Sequence, residues 1–342
     1  MKNKIISFYK KNKKIILIII RVVISISLIA YLIGKHLKDL QNALDILKTV
    51  NIYLLLLSLS THIFGNWMTA VRWKTLLDTQ EARLGVKTLS VSVLIGLFFN
   101  NFLPTAIGGD VFRAYDASKK GKIKLGTSAS IILMERLSGI VCAAVYAIVA
   151  LFLGFTAIGN QSVIIPVIIF FVISIILAFL IINPSILKFG RLFNRFMIFR
   201  KIKEKLSDFY RTLQSFKKYK MVLIKILIYS FFLQFAVILN FYLAARALGI
   251  GLNLTSFIFI VPIITVITML PISIGGMGLR ENSLVFIMGA LGVANDKAAL
   301  CSLLILVMFI IVGIIGGITY AIRPYLKTGT AEKTNSGEAA GG

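Results

Sequence analysis

Six apolar runs constrain this chain more than any other feature: 15–34, 52–73, 128–155, 163–182, 221–245 and 298–322. A hydrocarbon core about 30 Å thick needs roughly 20 apolar helical residues to cross it, and each run is of that order. Composition agrees. The chain is 58% hydrophobic and 15% charged, whereas soluble domains are about 45–50% apolar and about 25% charged. An all-α polytopic membrane protein is predicted, and a water-soluble globule is excluded.

The remaining charge is lopsided, with 38 Lys and Arg against 13 Asp and Glu. In a soluble protein this would point to nucleic acid. Here the basic clusters alternate with the apolar runs, so they carry topology and attract anionic headgroups, and no nucleic-acid partner is expected. With the N-terminus inside, segments 1–14, 72–87, 113–124, 188–220 and 323–327 hold 28 Lys and Arg, while the opposite loops hold 5. The positive-inside rule then predicts a multi-pass protein of the cytoplasmic (inner) membrane with both termini cytoplasmic. A signal peptide would also open with a basic stretch like 1–14. However, run 15–34 is longer than a usual signal core and no small-residue cleavage site follows it, so it reads as a span.

Segment 188–220 mixes apolar residues with eleven cations and two acids, the pattern of a basic amphipathic helix on the membrane surface. Residues 328–342 are small, polar and aperiodic, and are expected to be unstructured. Cys142 and Cys301 lie in apolar runs and His36 and His62 are the two histidines. Neither a disulfide framework nor a metal centre is expected, nor is any cofactor.

Two further apolar stretches, 88–103 and 255–270, are short and run into related strings. The first continues Leu103-Pro104-Thr105-Ala106-Ile107-Gly108-Gly109-Asp110 to Arg113, the second Leu270-Pro271-Ile272-Ser273-Ile274-Gly275-Gly276 to Arg280. Offset by 167 positions, Leu, Pro, Ile, both glycines and Arg coincide. A second match precedes them, Asn66 to Arg72 against Asn240 to Arg246, at an offset of 174 that implies a loop-length difference. A duplication follows, with repeat 1 at 15–155 and repeat 2 at 163–325. Each repeat holds three full crossings, and an odd number forces the second copy to be inverted. Inverted repeats with Gly/Pro-interrupted segments at matching places point to a transporter's midplane site. Pro104 and Pro271 remove a backbone donor, and the glycine pairs permit left-handed or closely approached backbone. The breaks are therefore expected to be re-entrant and to comprise Pro104, Gly108, Gly109, Asp110, Pro271, Gly275 and Gly276. The alternative is a plain turn at each break, giving eight spans.

Ionisable side chains inside apolar runs cost at least about 2.5–3.5 kcal/mol each, so each needs a reason. Glu135-Arg136 lies about two turns into the third run, and its two side chains point about 100° apart. Glu135 can then reach Arg72 or Arg113 while Arg136 faces another neighbour. Arg280-Glu281 repeats an adjacent Arg and acid directly after the second break. Arg72, Arg113, Glu135, Arg136, Arg280 and Glu281 are the candidate substrate-binding residues, read either as an anion site or as a structural ion network. Arginine suits phosphate through its planar, permanently charged fork. Asn100 and Asn101 read as groups that satisfy the helix break. A lone Asp110 could take part in proton coupling. No catalytic motif is found, so no enzyme is expected.

The strings NNFLPTAIGGDVFRAYDASKKG, MERLSG and LPISIGGMGLRE resemble, in this order, the signature segments of the lysylphosphatidylglycerol synthase transmembrane-region family. The resemblance spans roughly residues 10–325. It implies a flippase-like domain moving an anionic phospholipid, an aminoacylated phospholipid or a lipid-linked sugar between leaflets. Bifunctional members carry a cytosolic aminoacyltransferase domain after the last span. This chain ends about 20 residues beyond its own, so aminoacyl-lipid synthesis is not expected. The expected partners are an anionic membrane lipid and the membrane surface, and a second copy of the chain is a further candidate. The alternatives are an intramembrane lipid-modifying enzyme and a membrane scaffold subunit.

Overall fold

The computed structural model describes residues 2–37, 39–103, 108–152, 216, 219–269 and 272–338. The run at 163–182, most of segment 188–220, Pro104 and Pro271 lie outside the described residues. The regular elements described are all helical: α1 (Lys2–His36), α2 (Leu40–Lys48), α3 (Ile52–Asp78), α4 (Val86–Phe102), α5 (Gly108–Gly121), α6 (Leu125–Phe152), α7 (Lys220–Ala247), α8 (Leu254–Met269), α9 (Leu279–Ala290) and α10 (Asn295–Glu338). Five stretches are long and apolar enough to cross a membrane: Ile19–His36, Ile52–Asp78, Leu125–Ala150, Lys220–Ala247 and Asn295–Arg323. They match five of the six sequence runs. Large apolar side chains such as Ile26, Leu56, Phe232 and Ile318 face outward. Helices apolar on their outer as well as inner face are at home in lipid, not water.

Two elements differ from the sequence expectation. A short helix, α2, occupies the loop after α1. Asp39 caps it, accepting from the backbone N–H of Gln41 and Asn42 at 3.0 Å each. At the other end, α10 continues to Glu338, so residues 328–338 are helical rather than unstructured. Ala331, Glu332, Lys333 and Glu338 are good helix formers, and the segment propagates a helix already nucleated in the membrane-spanning part.

The order α3–α4–α5–α6 recurs as α7–α8–α9–α10. The connections 79–85 and 248–253 are nearly equal in length, so the change of offset between the two sequence matches is not a loop insertion. Helix α3 lies along its own copy α7. Ser58 bonds Asn240, Gly65 packs on Ala236 and Arg72 bonds Ser230. The numbers fall on α7 as they rise on α3, so the copies run antiparallel, as an inverted repeat requires. Each half also gives its last helix to the other half's short one. Gly316 and Gly313 of α10 meet Leu94 and Asn101 of α4, while α6 packs against α8, with Ala147 and Ala150 opposite Val266 and Phe259.

The short helices have 17, 14, 16 and 12 residues for α4, α5, α8 and α9. The longest extends about 25 Å, less than a hydrocarbon core of about 30 Å. In chain order they form two pairs, α4–α5 and α8–α9, and none of the four is long enough by itself to span that core.

The α4–α10 contact is tight because of glycine. A methyl group on Gly316 would sit 2.0 Å from the Leu94 carbonyl oxygen, whereas one on Gly139 meets nothing within 4 Å. Gly316→Ala is expected to destabilise the protein by about 1–3 kcal/mol through overpacking. Gly139→Ala should be neutral or slightly stabilising, since alanine is the better helix former. Thermal unfolding of the solubilised variants checks both.

Candidate functional site

The two breaks are built differently and touch each other. At the first, Gly109 is held by close approach: a methyl group there would lie 2.1 Å from the Gly96 carbonyl oxygen of α4. The Gly109 N–H donates to Asn100 Oδ1 at 2.9 Å, so Asn100 satisfies the break as its residue type suggested. Asn101 Nδ2 reaches across to the Phe309 carbonyl oxygen of α10 at 2.9 Å. At the second break, a 3-10 turn over Ile274–Gly276 puts Gly275 at φ 55°, in left-handed space. A methyl group on Gly275 would lie 2.7 Å from the Asn100 carbonyl oxygen, which places the two breaks in contact. Helix α1 covers the second break, its Ser25 Oγ accepting from Ile274 N–H at 2.9 Å.

Around the first break, five charges from three helices form one chain of alternating sign. Arg72 of α3 donates through Nε to Glu135 Oε1 of α6 at 3.3 Å. Arg113 of α5 donates through Nη2 to the other carboxylate oxygen of Glu135 at 2.7 Å. Arg113 Nη1 lies 3.6 Å from Asp110 Oδ1, one helical turn back on α5. Asp110 Oδ2 accepts from Arg136 of α6, from Nε at 2.5 Å and also from Nη2. Arg72, Arg113 and Glu135 are buried, while the Arg136 side chain keeps 34% exposure and opens the chain to its surroundings. Glu135 thus engages both arginines proposed for it, not one. Arg136 turns away to Asp110, as the 100° separation predicts. Three arginines against two acids leave this membrane-embedded cluster with one excess positive charge.

Neutral groups complete the cluster. Arg72 Nη1 donates to Ser230 Oγ of α7 at 2.9 Å, Ser230 donates to Ser138 Oγ at 3.0 Å, and Ser138 donates to the Glu135 carbonyl oxygen at 2.9 Å. The Arg113 guanidinium carbon lies 4.2 Å from the centre of the Trp73 ring. Arg113 Nε is buried and has no hydrogen-bond partner among the described residues. Sequence reasoning missed Ser138, Ser230 and Trp73.

The second break carries a neutral pair. Arg280 donates to Glu281 Oε1 from Nε at 2.8 Å and from Nη2 at 2.6 Å. Glu281 Oε2 accepts the Gly278 N–H at 2.6 Å and so caps the start of α9. Adjacent residues pair here, unlike at 135–136, because Arg280 is in the first turn and its side chain folds back over Glu281. Arg280 lies 4.3 Å from the centre of the Phe309 ring. It reproduces the aromatic plate of Arg113 with a ring from another helix. Arg246, the sequence counterpart of Arg72, is exposed and joins neither group.

A third charged knot joins the halves. Asp116 of α5 accepts from Arg323 Nη2 of α10 at 2.9 Å and from Lys120 Nζ at 2.9 Å. Cavities of about 260 Å³ and 370 Å³ open between α3 and α7; the larger is lined by Thr75, Asp78, Lys225 and Tyr229 among others, and neither includes a member of the charge chain. Among the described residues, no group of His, Cys, Asp and Glu is placed to hold a metal.

The model of one family, the lysylphosphatidylglycerol synthase TM region, matches residues 18–316, which takes in both breaks, the charge chain and the Arg280–Glu281 pair. The chain belongs to that family. A similar protein is a UPF0104 membrane protein of Methanocaldococcus jannaschii, 26% identical over 223 residues, covering 61% of this chain. The match spans 64% of that relative's length, just under two thirds. A UPF0104 membrane protein of Methanothermobacter thermautotrophicus is 24% identical over 347 residues, covering 94% of this chain and 98% of that one. No solved structure matches. Within this synthase transmembrane-region member, the described part of the matched residues includes α3–α6 and its antiparallel copy α7–α10.

Proposed function

We propose that this family member moves an anionic lipid between bilayer leaflets by alternating access at the arginines beside the first break. The single observation that carries the reading is the chain Arg72–Glu135–Arg113–Asp110–Arg136, with its excess of one cation. A structural network could close neutral with two guanidinium groups, and an excess charge is costly in lipid. A phosphate would supply the missing negative charge and match the planar arginine fork. The start of α5 at Gly108 adds the positive end of a helix at the same place. The lipid is an anionic phospholipid, an aminoacylated phospholipid or a lipid-linked sugar.

In this reading the α4–α5 and α8–α9 pairs are re-entrant, the first entering from the cytoplasmic side and the second from the other. The loop charge asymmetry puts both termini in the cytoplasm. Cysteines placed at exposed Lys119 and Ala290, in a protein lacking Cys142 and Cys301, should react with an impermeant maleimide from opposite faces. Reaction of both from one face would refute the inverted arrangement across the membrane.

The function itself is tested in vesicles holding a short-chain fluorescent phosphatidylglycerol. The protein is expected to redistribute the probe between leaflets without changing its mass. A covalently altered probe would assign the protein to the lipid-modifying enzymes. No redistribution of any anionic headgroup in a panel would leave a scaffold.

A further inference from the structure

His62 sits ten residues into α3, about 15 Å along the helix and so near the middle of a core about 30 Å thick. Imidazole is the side chain that ordinarily titrates near neutrality. The acids of the same region are already engaged: Glu135 by Arg72 and Arg113, Asp110 by Arg113 and Arg136, Glu281 by Arg280, and Asp116 by Arg323 and Lys120. Among the described residues no acid pairs with His62.

Its surroundings are set by three helices. From α3, Asn66 Nδ2 approaches His62 Nε2 at 3.2 Å and also donates to the His62 carbonyl oxygen at 2.9 Å. An amide NH2 group facing Nε2 suits the neutral ring. From α10, Phe309 stacks on the imidazole with ring centres 4.3 Å apart and planes 16° apart. From α9, Arg280 lies over the same Phe309 ring and acts on the imidazole electrostatically, with Glu281 bound to it. A protonated His62 would be a second cation beside one phenyl ring. Glu281 already neutralises Arg280, so an anion arriving there adds a net negative charge near the imidazole, and anion binding and protonation each favour the other by the same factor.

We propose that His62 is a proton-binding site coupled to lipid-anion binding at Arg280, so that one proton and one monoanionic headgroup cross together without net charge. The proton is taken up at the imidazole as the anion binds and is released to water as the anion leaves. The proposal rests on the transport reading above and extends its anion path from the first break to Arg280, the repeat counterpart of Arg113.

Two measurements decide it. The chain has two histidines, so His36→Gln leaves His62 alone and His62→Gln leaves His36 alone. The imidazole of each variant is titrated by NMR in nanodiscs of phosphatidylcholine, with and without phosphatidylglycerol. His36, at the end of α1, reports the surface potential. The His62 midpoint should rise with phosphatidylglycerol by about one unit more than that of His36, a tenfold tighter hold on the proton. Equal shifts at the two positions would overturn the proposal, whatever transport shows. In vesicles, a gradient of one pH unit should bias the steady-state leaflet distribution of fluorescent phosphatidylglycerol about tenfold, as one-to-one coupling requires. His62→Gln should abolish that bias and still exchange the probe. Wild-type exchange without bias would refute the coupling and spare the transporter. Absence of wild-type exchange would refute the transporter, and the NMR titration would still decide the proton site.

Discussion

Glu135→Gln should destabilise the protein by about 3–5 kcal/mol, because it strands two buried guanidinium groups at once. Glu135 is 2% exposed and is, among the described residues, the sole carboxylate bonded to Arg72, while Arg113 would retain only the longer contact to Asp110. The Asp78–Lys74 pair on the same α3 supplies the contrast. Its side chains are 43% and 36% exposed, so Asp78→Asn should cost no more than about 0.5 kcal/mol. Thermal unfolding of the two solubilised variants separates the cases. If Glu135→Gln melts like Asp78→Asn, the charge chain does not hold α3, α5 and α6 together.

The Arg280–Glu281 pair makes the second large prediction. Glu281→Gln alone should also cost about 3–5 kcal/mol, since Arg280 loses both of its carboxylate contacts in a buried setting. Arg280→Met with Glu281→Gln should recover most of that loss. Methionine fills the space over Phe309 with a sulfur–aromatic contact, the glutamine oxygen still accepts from Gly278, and a buried pair replaced by well-packed uncharged groups is often neutral or stabilising. Transport distinguishes the two meanings of the pair. Restored stability with transport still lost assigns Arg280 to the lipid path. Restored stability with full transport makes the pair a helix cap and nothing more.

The membrane fold was legible because its strongest physical demand, about 20 apolar residues per crossing, is written into the chain residue by residue. The inverted repeat was legible at the breaks, where Gly109 and Gly275 serve backbone needs that few residues meet. The charged members of the site were legible for the same reason: Glu135, Arg136, Arg280 and Glu281 are anomalies within or beside apolar runs, and an anomaly in hydrocarbon demands a partner. The partners were only half legible. Nothing in the sequence says that Glu135 takes both Arg72 and Arg113, since that depends on α3, α5 and α6 converging. Ser138, Ser230, Trp73 and Phe309 gave no signal, because a serine or an aromatic in an apolar run costs little and is ordinary there. Helix α2 was missed because its nine residues lie in a connection, marked only by the Asp39 cap. The two breaks follow different solutions, close approach at Gly109 and left-handed backbone at Gly275, although their sequences match.

The central claim, that the guanidinium groups beside the first break handle the lipid phosphate, is tested most directly by the leaflet-exchange rate of Arg113→Lys in proteoliposomes. Lysine keeps the point charge, and with it a partner for Glu135, but loses the fork and the unpartnered Nε that a phosphate could use. A charge-assisted hydrogen bond contributes roughly 1.5–3 kcal/mol, so at unchanged thermal stability the rate of phosphatidylglycerol exchange should fall at least about tenfold. A variant that folds as the wild type does and exchanges the probe at the wild-type rate would contradict the account.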